Sequence, residues 1–80
     1  MKIGQVVAQR ILQLCVERDL TLNMLGTICG ITQSTLNNIV NGGSRNPTVS
    51  TIKKICDGLE MTLSQFFDTP EFNGLDQEMK

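Results

Sequence analysis

Apolar residues recur every three or four positions along most of this 80-residue chain, in short runs that end at turn-forming residues. This spacing gathers them on one face of a helix, whereas a half-buried β-strand needs strict alternation of apolar and polar positions. Threonines that can accept a hydrogen bond from a free backbone N–H precede four of the runs, at Thr21, Thr32, Thr48 and Thr62. The pattern predicts an all-α fold of short helices in one small domain.

Five helices are predicted, over residues 3–18, 22–29 and 33–40, then after Thr48 as far as about Leu59, and after Thr62 as far as Phe66-Phe67. Gly30 suits the left-handed conformation just past a helix end. Because only Gly30-Ile31-Thr32 separates the second and third helices, the pair is predicted to form a helix-turn-helix. We expect residues 1–68 to form the domain and residues 69–80 an acidic tail, where Thr69-Pro70 offers the start of one more helical turn.

The charge is unevenly distributed along the chain. Residues 1–56 carry six basic and two acidic side chains, a net +4, and residues 57–80 carry one basic and six acidic, a net −5. No acidic residue lies between Thr21 and Cys56. A polyanion would meet no local repulsion there. The distribution permits nucleic-acid binding, and it also fits an ordinary polar domain with a solubilising acidic end.

The residue types that catalysis and metal binding need are scarce. The chain has no His, which is the commonest general base and a frequent zinc ligand. Cys15, Cys29 and Cys56 form no C-x-x-C pair, so we predict reduced core residues, with a redox-sensing thiol as the alternative. We expect no enzymatic activity, metal or cofactor. Polar residues interrupt every apolar run, so we expect no signal peptide or membrane span and a cytoplasmic location.

The third predicted helix has one apolar face and one face of uncharged polar side chains. At about 100° per residue, Leu36, Ile39 and Val40 fall on one side of the helix. The opposite side carries Gln33, Ser34, Asn37, Asn38 and Asn41. A side-chain amide holds a donor and an acceptor side by side, as the major-groove edge of adenine requires. A merely solvated face explains this pattern equally well, but the helix-turn-helix context favours base reading.

An ordered set of motifs over residues 3–68 resembles the phage repressor and Cro-like (XRE-type) helix-turn-helix family. The motifs are Arg18-Asp19-Leu20-Thr21, Leu25-Gly26, residues 29–36 (CGITQSTL), Ile39, Asn41-Gly42, Arg45-Asn46-Pro47-Thr48, and residues 59–63 (LEMTL) followed by Phe66-Phe67. The resemblance implies a compact five-helix λ-repressor-like domain that binds a double-stranded DNA operator, usually as a homodimer, and regulates transcription, here as a repressor. It implies base-reading positions at Gln33, Ser34, Asn37 and Asn38, and phosphate-binding positions at Thr21, Thr32, Asn41 and Arg45.

Several positions depart from the usual pattern of that family. Leu22 stands where the family usually has a Gln that touches the DNA backbone. Cys15 and Val40 occupy positions that hold an Arg–Glu pair in many members, so apolar contact is expected there instead. Leu22, Met24 and Ile28 are either ordinary exposed apolar residues or a patch for a protein partner. The second interpretation supports an alternative function, a protein-interaction module of the antitoxin or anti-repressor type.

Overall fold

The computed structural model describes residues 2–41 and 47–77. They form six helices: α1 (Ile3–Glu17), α2 (Leu22–Cys29), α3 (Gln33–Val40), α4 (Val49–Gly58), α5 (Leu63–Phe67) and α6 (Pro70–Asn73). Since the described residues contain no strand, the all-α prediction is confirmed. Helices α1 to α5 are the five predicted helices, and α6 begins at the Thr69-Pro70 step. No helix in this part of the chain is long and apolar enough to cross a membrane.

A threonine begins every helix after α1, and its hydroxyl accepts a hydrogen bond from the backbone N–H three residues further on. The distance from the threonine oxygen to that nitrogen is 3.1 Å at Thr21, 3.2 Å at Thr32 and 3.1 Å at Thr48. Thr62 and Thr69 do the same for α5 and α6, at 3.0 and 3.4 Å. Each hydroxyl satisfies one of the N–H groups that helix geometry leaves without a partner. Local sequence therefore decides where these helices begin.

The core forms where the apolar faces of α1 to α5 meet. Its fully buried members include Ile11, Leu25, Leu36, Ile55, Cys56 and Phe66. Helical spacing also predicts Leu12 and Val16 in the apolar stripe of α1 and Val49 in that of α4. These three residues lie instead at the surface, where Val16 is 82%, Val49 74% and Leu12 44% exposed. Val49 is the first residue of α4, one turn before Ile52, the first residue of this helix that is buried. The apolar faces of α1 and α4 that contact the core are therefore narrower than the spacing predicts.

The three cysteines are free thiols in the core. Burial raises the pKa of the Cys15, Cys29 and Cys56 thiols, and the neighbouring Cys15 and Cys56 raise the pKa of Cys29 further. A thiol held in its protonated form is a poor nucleophile. The structure therefore favours the core interpretation over a redox sensor. Cys15 is buried and Val40 is half-buried against the same core, as expected where apolar contact replaces an ion pair.

Helix α6 attaches the first residues of the predicted tail to the domain. The ring of Phe72 packs against those of Phe66 and Phe67, with centroids 6.2 and 4.9 Å apart. Helix α6 also lies against α1. The acidic side chain of Glu71 is thereby held beside α1, where it lines a small groove with Arg10.

Candidate nucleic-acid interface

Two glycines fix how α2 and α3 cross. Gly30 has a φ of +69°, and its N–H and that of Ile31 both donate to the carbonyl oxygen of Gly26. This left-handed conformation costs Gly little and other residues more. A Cβ on Gly26 would lie 2.8 Å from the Ile31 oxygen and 3.2 Å from Cδ1 of Leu36. The absence of a side chain at Gly26 therefore lets α2 approach the turn and α3 closely.

The orientation of α3 leaves its polar face open to solvent. Leu36 has no exposed surface and Ile39 is 4% exposed, so these two residues anchor the helix to the core. All five polar residues predicted on the other face are exposed, namely Gln33, Ser34, Asn37, Asn38 and Asn41. None of the residues that the structure describes covers this strip of amides and hydroxyls.

Within this strip, Gln33 and Asn37 are hydrogen-bonded to each other. The Nε2 group of Gln33 donates to Oδ1 of Asn37 at 3.2 Å. The two residues are four positions apart, a spacing at which side chains on a helix surface meet. Sequence reasoning assigned both residues to the same face but overlooked this pairing, although their spacing signals it.

The threonines assigned to phosphate binding serve first as helix caps. Thr32 accepts from the Thr35 N–H, and its hydroxyl donates to Oγ1 of Thr35 at 2.9 Å. The helix dipole still favours an anion at the N-terminus of α3, and the first-turn N–H groups of Gln33 and Ser34 lie outside the cap hydrogen bond. Thr21 likewise accepts from the Met24 N–H before α2. Asn41 is exposed at the other end of α3.

A family model described as "Helix-turn-helix" matches residues 11–66, from the middle of α1 to the end of the core. The match covers more than half of the chain and includes both helices of the motif. The chain belongs to the XRE-type helix-turn-helix family. It is a DNA-binding transcription regulator of the phage Cro and XRE kind.

This helix-turn-helix protein is also similar to a solved structure titled "Crystal structure of the prophage Lp1 protein 11". The two chains share 35% sequence identity and superpose with a TM-score of 0.82. The comparison covers 92% of this chain and 97% of the other, so it includes nearly the whole fold. No curated protein matches the sequence.

The basic side chains of this helix-turn-helix protein are less available to DNA than a count of charges suggests. The Arg10 guanidinium donates to the carbonyl oxygens of Phe66 and Gln65 at 2.8 and 3.0 Å. Arg18 donates to the carbonyl of Leu59 at the end of α4. Lys53 pairs with Asp57 one turn along the same helix. Arg45, predicted to bind phosphate, lies outside the described residues.

Proposed function

We propose that the protein is a repressor that binds double-stranded DNA sequence-specifically by placing α3 in the major groove. The main support is the strip of exposed, uncharged amide side chains on α3, a helix whose opposite face is buried in the core. Amides at this position can donate and accept on base edges without carrying the charge that would bind any sequence. Occupying an operator blocks other proteins from the same groove, so repression requires no additional activity.

Within this proposal the polar residues divide into two roles. The base-reading residues are Gln33, Ser34, Asn37 and Asn38. The phosphate-binding residues are Thr21, Thr32, Asn41 and Arg45. Phosphate contacts fix the position of the helix, and base contacts supply the specificity.

We further propose that a homodimer is the form that binds. One copy offers few uncommitted basic side chains, since Arg10, Arg18 and Lys53 make internal hydrogen bonds. Two copies on two half-sites about one helical turn apart, roughly 34 Å, double the base and phosphate contacts. The operator should then be a palindrome or close to one.

Selection from random duplexes at low salt tests the proposal. The purified protein should enrich one motif with two related halves, and its solution mass with and without that duplex should give two copies per site. Asn37→Ala should lower the affinity for that motif by about 1–3 kcal/mol and relax the preference at one base pair. Ser64→Ala, which removes an exposed hydroxyl on α5, should change neither. If selection enriches no motif, the proposal is wrong.

A protein-interaction function of the antitoxin or anti-repressor type remains a second candidate. Its support is a pair of exposed apolar side chains one turn apart on α2, Met24 at 46% and Ile28 at 49% exposure. Leu22 contributes less, because it is half-buried against the core. Asp substitutions at Met24 and Ile28 that abolish a stable protein complex and preserve DNA binding would favour this function. If the Asp substitutions disrupt neither a protein complex nor DNA binding, the protein-interaction function is wrong.

A further inference from the structure

We propose that Asn37 reads an adenine, and that Gln33 acts as the positioning residue that sets the orientation of the Asn37 amide. This inference rests on the proposed function, and it replaces the base-reading role given to Gln33 there with a positioning role that acts through Asn37. The observation behind it is the hydrogen bond from Nε2 of Gln33 to Oδ1 of Asn37, 3.2 Å long, on the exposed face of α3.

The chemistry of that hydrogen bond leaves Asn37 equipped for adenine. A carbonyl oxygen has two lone pairs, so Oδ1 can accept from Gln33 and still accept a second hydrogen bond. The Nδ2 group of Asn37 keeps its N–H donors. Adenine presents a donor, N6–H, beside an acceptor, N7, in the major groove. Oδ1 can therefore accept from N6 while Nδ2 donates to N7.

The same arrangement disfavours guanine at this position. Guanine presents two acceptors, O6 and N7, and a bidentate contact with it needs two donors held side by side. The Asn37 amide places an oxygen where one of those donors would have to be. Rotating the amide by a half-turn exchanges the two atoms and turns Nδ2 toward the Nε2 donor of Gln33. The hydrogen bond then survives only if the Gln33 amide rotates as well, so the pairing opposes a half-turn of the Asn37 amide away from the orientation that fits adenine.

The Gln33 hydrogen bond also orders the Asn37 side chain before DNA binds. An exposed Asn side chain ordinarily loses rotamer freedom when it binds. In the free protein Gln33 already restrains Asn37, from the preceding turn of a helix that Leu36 and Ile39 hold against the core. Gln33 contributes to affinity through Asn37, and so its effect should appear at the base pair that Asn37 reads.

Modified duplexes test the assignment of the base. The probes are copies of the selected motif in which each adenine in turn is replaced by 7-deazaadenine, which lacks the N7 acceptor, or by purine, which lacks the N6 amino group. At one adenine, each replacement removes one of the two hydrogen bonds and should weaken wild-type binding about 2- to 12-fold. At that same adenine they should have almost no effect on Asn37→Ala, which has already lost the contact.

A double-mutant cycle tests the role of Gln33. Gln33→Met keeps the length of the side chain and removes its donor. We expect it to weaken binding in the wild-type background, to relax the preference only at the Asn37 base pair, and to have little further effect in the Asn37→Ala background. The matched control is Gln33→Met with Asn38→Ala, two substitutions that should combine additively. All variants should melt at the wild-type temperature, because the residues are exposed.

The outcomes separate this inference from the proposed function. If no motif is enriched, both are wrong. If a motif is enriched but Gln33→Met and Asn37→Ala act additively, or Gln33→Met relaxes a different base pair, the proposed function is retained and the pairing inference is wrong. If Asn37→Ala relaxes the preference for a guanine rather than for an adenine, the assignment of adenine to Asn37 is wrong.

Discussion

At the scale of single residues, a close contact joins Gly58 at the end of α4 to Cys29 at the end of α2. A Cβ on Gly58 would lie 2.5 Å from Sγ of Cys29 and 3.1 Å from its Cα. The Cys29 backbone cannot move without displacing α2, and α2 carries the turn that leads into α3. This contact therefore links the core to the proposed DNA-binding helix.

Gly58→Ala should destabilise the protein by about 1–2 kcal/mol, the cost of overpacking less the better helix propensity of Ala. Urea unfolding followed by circular dichroism measures the change. The control is the same substitution in a Cys29→Ala background, where Sγ is gone and the additional cost should fall by more than half. Equal costs in the two backgrounds would show that Sγ is not the obstacle.

Among residues 2–41 and 47–77, two other than glycine adopt a left-handed conformation, Asp19 with a φ of +55° and Glu60 with a φ of +56°. Each follows the end of a helix, and the next residue donates its N–H back into that helix. Leu20 donates to the carbonyl of Cys15 at 2.8 Å, and Met61 to that of Cys56 at 2.9 Å. These helix-terminating hydrogen bonds impose a conformation that costs an L-residue roughly 1–2 kcal/mol.

Glu60→Gly should accordingly stabilise the protein, by about 0.5–1 kcal/mol after the larger entropy of Gly in the unfolded chain is subtracted. The converse substitution, Gly30→Ala, should cost about 1 kcal/mol, because a Cβ there meets no atom within 4 Å and only the backbone is strained. Thermal melting of the two variants beside the wild type measures both changes. Opposite signs are expected, and equal signs would contradict the backbone explanation.

At the scale of helices, Arg10 joins α1 to the end of α5. Its Nε and Nη2 groups donate to the carbonyl oxygens of Phe66 and Gln65, and Nη1 donates to Oε1 of Gln13 at 3.0 Å. The last carbonyl groups of a helix lack intrahelical hydrogen-bond partners, and a cation beside them interacts favourably with the negative end of the helix dipole. Arg10 thus caps a five-residue helix that is too short to be stable alone.

Arg10→Met should cost about 1.5–3 kcal/mol, the range for hydrogen bonds to a charged group, and Arg10→Lys should recover only part because an ammonium cannot bridge two carbonyls in the same way. Chemical unfolding is the measurement. Lys53→Met is the control, since it removes a pair exposed on the surface of α4 and should cost less than about 0.5 kcal/mol. Similar losses for Arg10→Met and Lys53→Met would argue against a capping role.

The features that sequence reasoning found are those that local chemistry decides. Helix starts followed from the threonine caps, and the turn at Gly30 followed from its residue type. Arg10 and Phe66 are 56 residues apart in the sequence, and their contact depends on how α1 packs against α5. No local sequence pattern predicts it. The exposure of Val16 has the same origin, because spacing alone cannot tell how wide a face the neighbouring helices will cover. The base-reading assignments remain predictions.

At the scale of the whole molecule, the charge asymmetry has a different meaning in three dimensions. Residues 1–56 carry a net +4, but part of this positive charge stabilises the fold, since the guanidinium groups of Arg10 and Arg18 cap the ends of α5 and α4. Uncharged amides and helix N-termini remain as the principal polar groups of the proposed interface. Such groups bind DNA without releasing many counterions.

Binding to the selected operator should therefore depend weakly on salt. Each phosphate neutralised by a basic side chain contributes roughly −0.9 to the slope of log K against log salt, so two copies with one or two such contacts each should give about −2 to −4. Fluorescence anisotropy between 50 and 200 mM salt, roughly the range where such slopes are resolved, measures it. Arg10→Met should leave the slope unchanged at a temperature where the variant is folded, whereas Arg45→Ala should make it shallower by about 1 per copy. A slope steeper than about −6 would mean that the internally bonded arginines release their carbonyl partners and bind phosphate instead.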